Sequence, residues 1–181
     1  MKNVTFLLCA AASLLVASLA AAQDNAPPKP TPEHQKLGYF VGTWHTEGEM
    51  KPGPMGPGGK MTSTDKCSWF QGGFAVVCNS EGTMPAGSAK SIGIMSYSAE
   101  EKVYTYAGTD SSGMTMTTVP RGTLQGDTWT YDDESVMGGK KVKSRVVIKE
   151  LSPTAYTFRM DFMGDDGKWF TAMESKSTKA K

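Results

Sequence analysis

Histidine and cysteine are scarce in this chain of 181 residues, which contains two histidines and three cysteines. Histidine is the usual general base beside a catalytic nucleophile, and imidazole and thiolate groups are the usual ligands of structural zinc. No motif in the sequence pairs a nucleophile with His34 or His45. The sequence therefore predicts a protein that is not an enzyme and that carries no metal or other cofactor.

Two short patterns could still gather charged ligands. His45, Glu47 and Glu49 alternate along one predicted strand face, where they could surround a metal or support proton transfer. A solvated outer face is the better interpretation, because nothing nearby would shield such a site from water. The "GDDG" at 164–167 resembles part of a calcium loop but lacks the other spaced acids, so it is typical of a hairpin turn.

The chain also lacks an excess of either charge. Its formal net charge is +1 with histidine neutral, and it falls to zero if the segment containing Lys2 is removed. Proteins that bind nucleic acid neutralise phosphates with clustered lysine and arginine. We therefore expect no nucleic-acid partner, and the charges are typical of a solvated surface. The oligomeric state is not indicated.

Long apolar runs are missing except at the start. Residues 4–22 form an apolar stretch that follows Lys2 and ends in three alanines. This pattern is typical of a secretory signal peptide, and the polar stretch after it argues against a membrane anchor. The sequence thus predicts a signal peptide over 1–22, a proline-rich linker over 23–31, one domain over 32–177 and a disordered tail over 178–181. The location would be periplasmic or secreted, with no membrane span.

Removal of that leader would leave two cysteines, Cys67 and Cys78. They flank Gly72-Gly73 in "KCSWFQGGFAVVC", and Gly-Gly is a favourable hairpin loop because it permits positive φ at both positions. With that loop the two cysteines lie directly opposite each other, close enough for a disulfide. Two free thiols or half of a zinc site are the alternatives.

The rest of the sequence predicts one short helix and many strands. Thr31 can cap a helix that begins at Pro32, and no long helical pattern follows Gly42. About ten short alternating runs come next, separated by turn residues at nearly even spacing. Strands joined by short turns to their neighbours favour an up-and-down antiparallel β-barrel, which leaves no exposed edges.

The junction "GYFVGTWHTEGE" resembles the calycins, the group of lipocalins and fatty-acid-binding proteins, in which a short helix runs into Gly-x-Trp and closes one barrel end. The wider segments "EHQKLGYFVGTWHTEGEM", "SIGIMSYSAEEKVYTYAGTDSSG" and "YTFRMDFMGDDGKWFTAMESKS" resemble a bacterial family, domain of unknown function 1579. The resemblance implies a lipocalin-like barrel of unassigned function. Lipocalins pack an inward arginine on the tryptophan, whereas the alternation here points Arg145 and Arg159 outward.

The sequence favours binding of a small apolar ligand inside the barrel as the function. Charges on the best-phased strands, such as Glu47 and Arg159, fall on the outer face, so the ligand is expected to be neutral or mostly apolar. The candidate ligand-binding residues are the apolar and aromatic ones predicted to face inward, namely Trp44, Trp69, Ile94, Met114, Met116, Trp129, Tyr131, Phe158 and Met160.

Two alternatives stay open. A barrel filled by its own side chains would be a structural or envelope-interaction module without a ligand. The chain is also rich in methionine, and Met114 and Met116 would share a strand face, so a copper(I) site is a more distant option. Methionine filling irregular gaps in the interior explains the same composition.

Overall fold

The computed structural model describes residues 28–53, 56–111, 116–137 and 139–181. The signal peptide predicted over 1–22 and most of the linker predicted over 23–31 lie outside the described residues. A short helix α1 (Pro32–Lys36) leads into a 3-10 turn (Leu37–Phe40). Ten strands follow: β1 (Gly42–Met50), β2 (Gly59–Trp69), β3 (Ala75–Met84), β4 (Gly87–Ser98), β5 (Val103–Asp110), β6 (Arg121–Gln125), β7 (Thr128–Met137), β8 (Lys140–Ser152), β9 (Ala155–Met163) and β10 (Trp169–Lys179).

The ten strands form one closed antiparallel barrel in which each strand pairs with its sequence neighbours. Closure is completed by β1 and β10, where Trp44 lies opposite Lys179 and Met50 lies opposite Met173. Every described strand is therefore hydrogen-bonded on both sides. The predicted up-and-down barrel is confirmed. Within the described part of the chain, no helix is long and apolar enough to cross a membrane.

The helix and the 3-10 turn close one end of the barrel. The backbone N–H of Thr31 donates to His34 Nδ1 at 3.1 Å, which fixes the first turn of α1. Leu37 and Phe40 are buried at 0 % and 4 % exposure. Trp44 Nε1 donates to the carbonyl oxygen of Phe40 at 2.7 Å, so the indole locks the 3-10 turn to β1. We call this buried cluster the floor; its central members are Leu37, Phe40, Trp44, Val76, Tyr104 and Trp129.

The cysteine hairpin has the predicted register. Cys67 pairs with Cys78 across β2 and β3, and their sulfurs are bonded at 2.06 Å. Gly72 and Gly73 both adopt positive φ in the connecting loop, as the sequence predicts. The disulfide belongs to the edge of the floor, where Cys67 is buried.

Two sequence predictions about chain ends and strands are wrong. A disordered tail was expected over 178–181, but β10 continues through Lys179, and the N–H of Ala180 donates to the carbonyl oxygen of Thr43. The barrel closes through these residues, because β1 needs a partner along its first half. A strand was also expected around Met116, but residues 116–120 form an irregular segment between β5 and β6.

Candidate ligand site in the barrel interior

The strand registers fix which side chains face inward. Directly opposed residues in an antiparallel pair share a face, so the inward face can be followed around the barrel from buried Trp44. We call the part of the barrel interior between the floor and the distal end, where β1 ends and β2 begins, the lumen. Many residues facing the lumen are small or hydroxylated, including Thr46, Gly48, Ser63, Ser80, Gly82, Ser91, Gly93, Gly108, Ser144, Ser175 and Ser177.

Several lumen-facing side chains remain partly accessible although they point into the barrel. Phe158 and Met160 on β9, Ser175 on β10 and Ser80 on β3 are all in this state. By contrast, Trp44, Val76 and Trp129 in the floor are fully buried. The lumen-facing side chains are therefore less completely covered by their neighbours than those of the floor.

A carboxylate lies on the lumen wall within a network of hydroxyls. Asp65 Oδ2 accepts hydrogen bonds from Thr46 Oγ1 and Ser63 Oγ, each at 3.1 Å. Thr46 Oγ1 also lies 2.7 Å from Ser177 Oγ on β10. Thr46 is 7 % exposed and Ser177 is 1 % exposed, so this network is built into the wall rather than into a loop.

Glycines place two tyrosine rings flat against the wall. A β-carbon at Gly93 would overlap the Tyr106 hydroxyl, and one at Gly122 would overlap the ring of Tyr131. Each ring lies over a neighbouring strand that lacks a side chain at that point, which keeps both rings out of the centre of the lumen. The glycines are therefore needed for the shape of the site.

The phenols around the lumen are poorly solvated. Burial raises the pKa of Tyr106, and the nearby Asp65 carboxylate raises it further. Burial also raises the pKa of Tyr156 to about 12, against a hydrogen bond with Ser177 that lowers it. Tyr131 is 5 % exposed, and its hydroxyl has no hydrogen-bond partner among the described residues. Buried polar atoms are rarely left unpaired in proteins, so this hydroxyl is an unusual feature of the described residues.

The inward charges are negative. Asp65, Asp110, Asp133 and Glu150 all lie on the inward face by register. Thr118 Oγ1 donates to Asp133 at 2.8 Å, and Trp129 Nε1 donates to Glu150 at 2.7 Å. Among the described strand residues, the inward lysines are Lys140 and Lys179, which lie at opposite ends of the barrel.

Comparison with known proteins places the chain in a family. The family described as protein of unknown function, DUF1579, matches residues 29–179. The chain belongs to DUF1579. No curated protein sequence matches it.

Solved structures resemble this DUF1579 chain in fold. Rv2717c from M. tuberculosis matches with a TM-score of 0.60 at 11 % identity, over 83 % of this chain and 99 % of that one. The S-type phycobiliprotein lyase CPES from Guillardia theta matches with a TM-score of 0.56 at 13 % identity, over 84 % of this chain and 94 % of that one. At such identities the likeness establishes the barrel fold and no activity.

The residues of this DUF1579 chain that the sequence predicts to bind a ligand lie in several different parts of the barrel. Trp44 and Trp129 belong to the floor, and Trp69 packs on the 3-10 turn at Gly38. Tyr131 lies where the floor meets the lumen, packed on Gly122.

Two predicted residues, Phe158 and Met160, lie side by side on the lumen wall along β9. Ile94 was expected to face inward, but it lies on the outer face and is 42 % exposed. The disulfide sets the phase of β3, and β3 places Gly93 and Met95 of β4 inward, so Ile94 must point out. Met116 lies outside the strands at the distal end, where its N–H donates to Gly108. Met114 lies outside the described residues, so the copper(I) hypothesis stays a prediction.

The expected outward placement of charge holds for part of the chain. Arg145 points outward, where it pairs with Asp132 and stacks on Trp169, and Arg159 is exposed. The inward acids were missed. "TSTDKC" does show the signal, because Cys67 must face its partner across the hairpin and strict alternation then turns Asp65 inward.

His45 shows no sign of a metal or catalytic centre. The side chain is exposed, and its Nδ1 lies 3.2 Å from Thr64 Oγ1. Across the described ranges, no three His, Cys, Asp or Glu side chains are grouped so that they could hold a metal ion. The lumen is therefore the better candidate site.

Proposed function

We propose that this protein binds a small organic molecule in the lumen of its barrel, with entry from the distal end. The observation that carries the proposal is the partial accessibility of inward-facing side chains above a floor that is fully packed. A barrel filled by its own residues would bury Phe158 and Met160 as completely as Trp44. Ligand sites in small barrels combine such a closed base with an apolar wall and a few placed polar groups.

The lumen lining favours an amphipathic ligand rather than a wholly apolar one. Phe158 and Met160 provide an apolar surface on one side, and the Thr46–Asp65–Ser177 network provides polar groups on the other. The unpaired Tyr131 hydroxyl adds a donor and an acceptor. Leaving such groups unpaired against an apolar guest would cost binding energy.

Export is a second part of the proposal. The leader at 1–22 has the composition of a signal peptide, and the Cys67–Cys78 disulfide fits an oxidising compartment. We expect protein recovered from the producing cell to begin near Gln23. Its intact mass should rise by two hydrogens on reduction. Two alkylatable thiols before reduction, or a retained leader, would contradict export.

Binding can be tested with Nile red, a neutral dye whose emission rises in apolar surroundings. We expect uptake with a dissociation constant near about 1 μM, equivalent to about −8 kcal/mol. The variant Ser80→Phe adds bulk to the lumen wall opposite Asp65 and should abolish uptake. Ser68→Phe is the matched control, since Ser68 is an exposed, outward residue of the same hairpin.

Native mass spectrometry of freshly purified protein should complement the dye by detecting a retained small molecule. If neither Nile red nor a naphthalene amine, alcohol or carboxylate binds, and no molecule is retained, the barrel is filled and carries no ligand. Equal uptake by Ser80→Phe and wild type would place the dye outside the lumen.

A further inference from the structure

We propose that the lumen selects ligands that carry a positively charged nitrogen group, with Asp65 as the counter-ion. This inference rests on the proposed function, because it names the chemical class of the molecule that the lumen holds. It differs from the neutral or apolar ligand that the sequence alone suggested.

The distribution of inward charge is the first argument. Asp65, Asp110 and Asp133 face the interior on three different strands, whereas Glu150 lies at the closed end, where it accepts a hydrogen bond from Trp129 of the floor. In the described strands, the inward cations lie at the two barrel ends, where Lys140 pairs with Asp165 and Lys179 covers Trp44. A low-dielectric wall focuses the field of such charges into the enclosed space. The lumen therefore attracts cations and repels anions.

Asp65 has the geometry of an unfinished ion pair. Both donors that reach it from the described residues, Thr46 and Ser63, bind the same oxygen, Oδ2. No described residue donates to Oδ1, and no described lysine, arginine or histidine forms an ion pair with this carboxylate. The hydroxyls fix the orientation of the carboxylate and leave Oδ1 without a donor among the described residues. A partly shielded carboxylate gains most from a partner of opposite charge.

The surrounding phenols complete a site for an organic cation rather than a bare ion. Tyr106 and Tyr156 lie close enough to Asp65 for its charge to affect them. Aromatic faces attract ammonium and related groups. Tyr131 is 95 % buried, near Tyr106, and its unpaired hydroxyl can accept a hydrogen bond from the ligand. This unpaired atom is a second observation, independent of the acidic residues.

The apolar part of the ligand has a defined place. Phe158 lies opposite Ile148 on one side and Ser175 on the other, and Met160 lies opposite Val146. These side chains are partly accessible from the lumen. A ligand with a compact aromatic or alkyl body and one cationic nitrogen could contact this wall and Asp65 together.

Three probes of matched size test the charge preference in the intact protein. They are 1-naphthylmethylamine, which is cationic at neutral pH, 1-naphthylmethanol, which is neutral, and 1-naphthoate, which is anionic. Isothermal titration calorimetry at moderate salt gives the three affinities. We expect the amine to bind at least about tenfold more tightly than the alcohol, and the carboxylate to bind most weakly, as a close charge pair would require.

Two variants locate the effect. Asp65→Asn keeps the size and the acceptor oxygen for Thr46, so it should weaken amine binding about tenfold while changing alcohol binding less than about twofold. Asp132→Asn is the control, since Asp132 is an exposed residue paired with Arg145 on the outer face. It should leave all three affinities unchanged.

The outcomes separate this inference from the proposed function. If the three probes bind wild-type protein equally, or the alcohol or carboxylate binds best, the lumen is a ligand site but the charge preference is wrong. Equal loss of amine and alcohol binding in Asp65→Asn would show that Asp65 shapes the wall rather than pairing with the cation. If no probe binds, the proposed function itself fails. The wild-type comparison decides the question even if Asp65→Asn does not fold.

Discussion

The floor and the lumen occupy the same ten strands but differ in almost every physical property. The floor brings together Phe40, Trp44, Tyr104 and Trp129 in edge-to-face and tilted ring contacts with centroids 4.7–5.9 Å from neighbouring rings. The lumen wall instead has serines, glycines and a carboxylate. Dense aromatic packing provides stability, whereas small residues leave space. The difference places the densest packing at one end of the barrel and leaves the other end for the proposed ligand.

Alkaline pH should cause the largest loss of stability among these tests, and it acts on the floor. Burial raises the pKa of Tyr104 to about 12, and it does the same for Tyr156, whose ring packs against Trp44 at the boundary of floor and lumen. An unfolded tyrosine loses its proton near pH 10, so between about pH 10 and 12 the unfolded state binds fewer protons than the folded one. Stability should fall over this window by about 1.4 kcal/mol per pH unit for each such tyrosine. Chemical denaturation at stepped pH measures the slope.

The same titration tests whether the floor is sealed. Tyrosinate absorbance from the buried phenols should rise together with the loss of native circular dichroism. In Tyr104→Phe the slope should be shallower, because one raised phenol is gone; its hydrogen bond to the Glu33 carbonyl is lost as well. Full ionisation of the tyrosines in a still-folded barrel would mean that water reaches the floor as easily as the lumen.

Truncation of one aromatic residue in the floor and one in the lumen should give the next largest loss of stability. Trp44→Ala removes a side chain that is 1 % exposed and holds the 3-10 turn, so it should cost about 3–5 kcal/mol. Phe158→Ala removes a side chain that is only partly buried, so it should cost less, about 1 kcal/mol, typical of an average substitution. Urea denaturation of the two variants measures both losses. Equal losses would show that the lumen is as tightly packed as the floor.

Removal of the disulfide at the edge of the floor should cause the next largest loss of stability. It closes a short loop of 11 residues in sequence separation, and constraint of the unfolded chain by such a loop is worth about 2–3 kcal/mol. The double variant Cys67→Ala with Cys78→Ala should lose that amount in urea denaturation, and reductant should no longer affect it. A loss below about 0.5 kcal/mol, near the range of surface substitutions, would show that floor packing alone holds this hairpin.

The floor could be predicted from sequence far better than the lumen. Leu37, Phe40 and Trp44 are large, apolar and correctly spaced around a Gly-x-Trp junction, so their burial follows from pattern and propensity. The register of Cys67 and Cys78 followed equally from one glycine pair. Such local signals need no knowledge of distant strands.

The lumen depends on contacts between strands that are far apart in sequence. Whether Gly93 faces Tyr106 depends on the phase of β4 relative to β3, and "SIGIM" reads as inward isoleucines when judged alone. Asp65 meets Ser177 through Thr46 across three strands. Polar residues inside a barrel contradict the alternation rule that sequence reading relies on, and such contradictions are concentrated at functional sites.

Substitution of Lys179 should give the smallest change in stability, and it tests the difference between floor and lumen most specifically. In lipocalins an inward arginine packs on the tryptophan that corresponds to Trp44. Here Arg145 and Arg159 both point outward, so another cation must cover the ring. In the structure the Lys179 ammonium lies 5.0 Å from the centre of the Trp44 ring and 3.4 Å from the carbonyl oxygen of Tyr39. The sequence gives no sign of this role, because Lys179 lies in a short lysine-rich stretch at the end of the last strand.

Lys179→Ala should therefore cost about 0.5–1 kcal/mol in urea denaturation, the range of a cation–π contact near the surface. Lys179→Arg should retain most of the stability, because a guanidinium can stack on the same ring. Lys176→Ala is the control, since Lys176 is exposed on the outer face of the same strand and should change stability by less than about 0.5 kcal/mol. Ligand affinity should stay the same in all three variants, because Lys179 lies beneath the floor. A matching loss in both alanine variants would reduce the lysine to an ordinary surface charge, and a change in ligand affinity would show that floor and lumen are coupled.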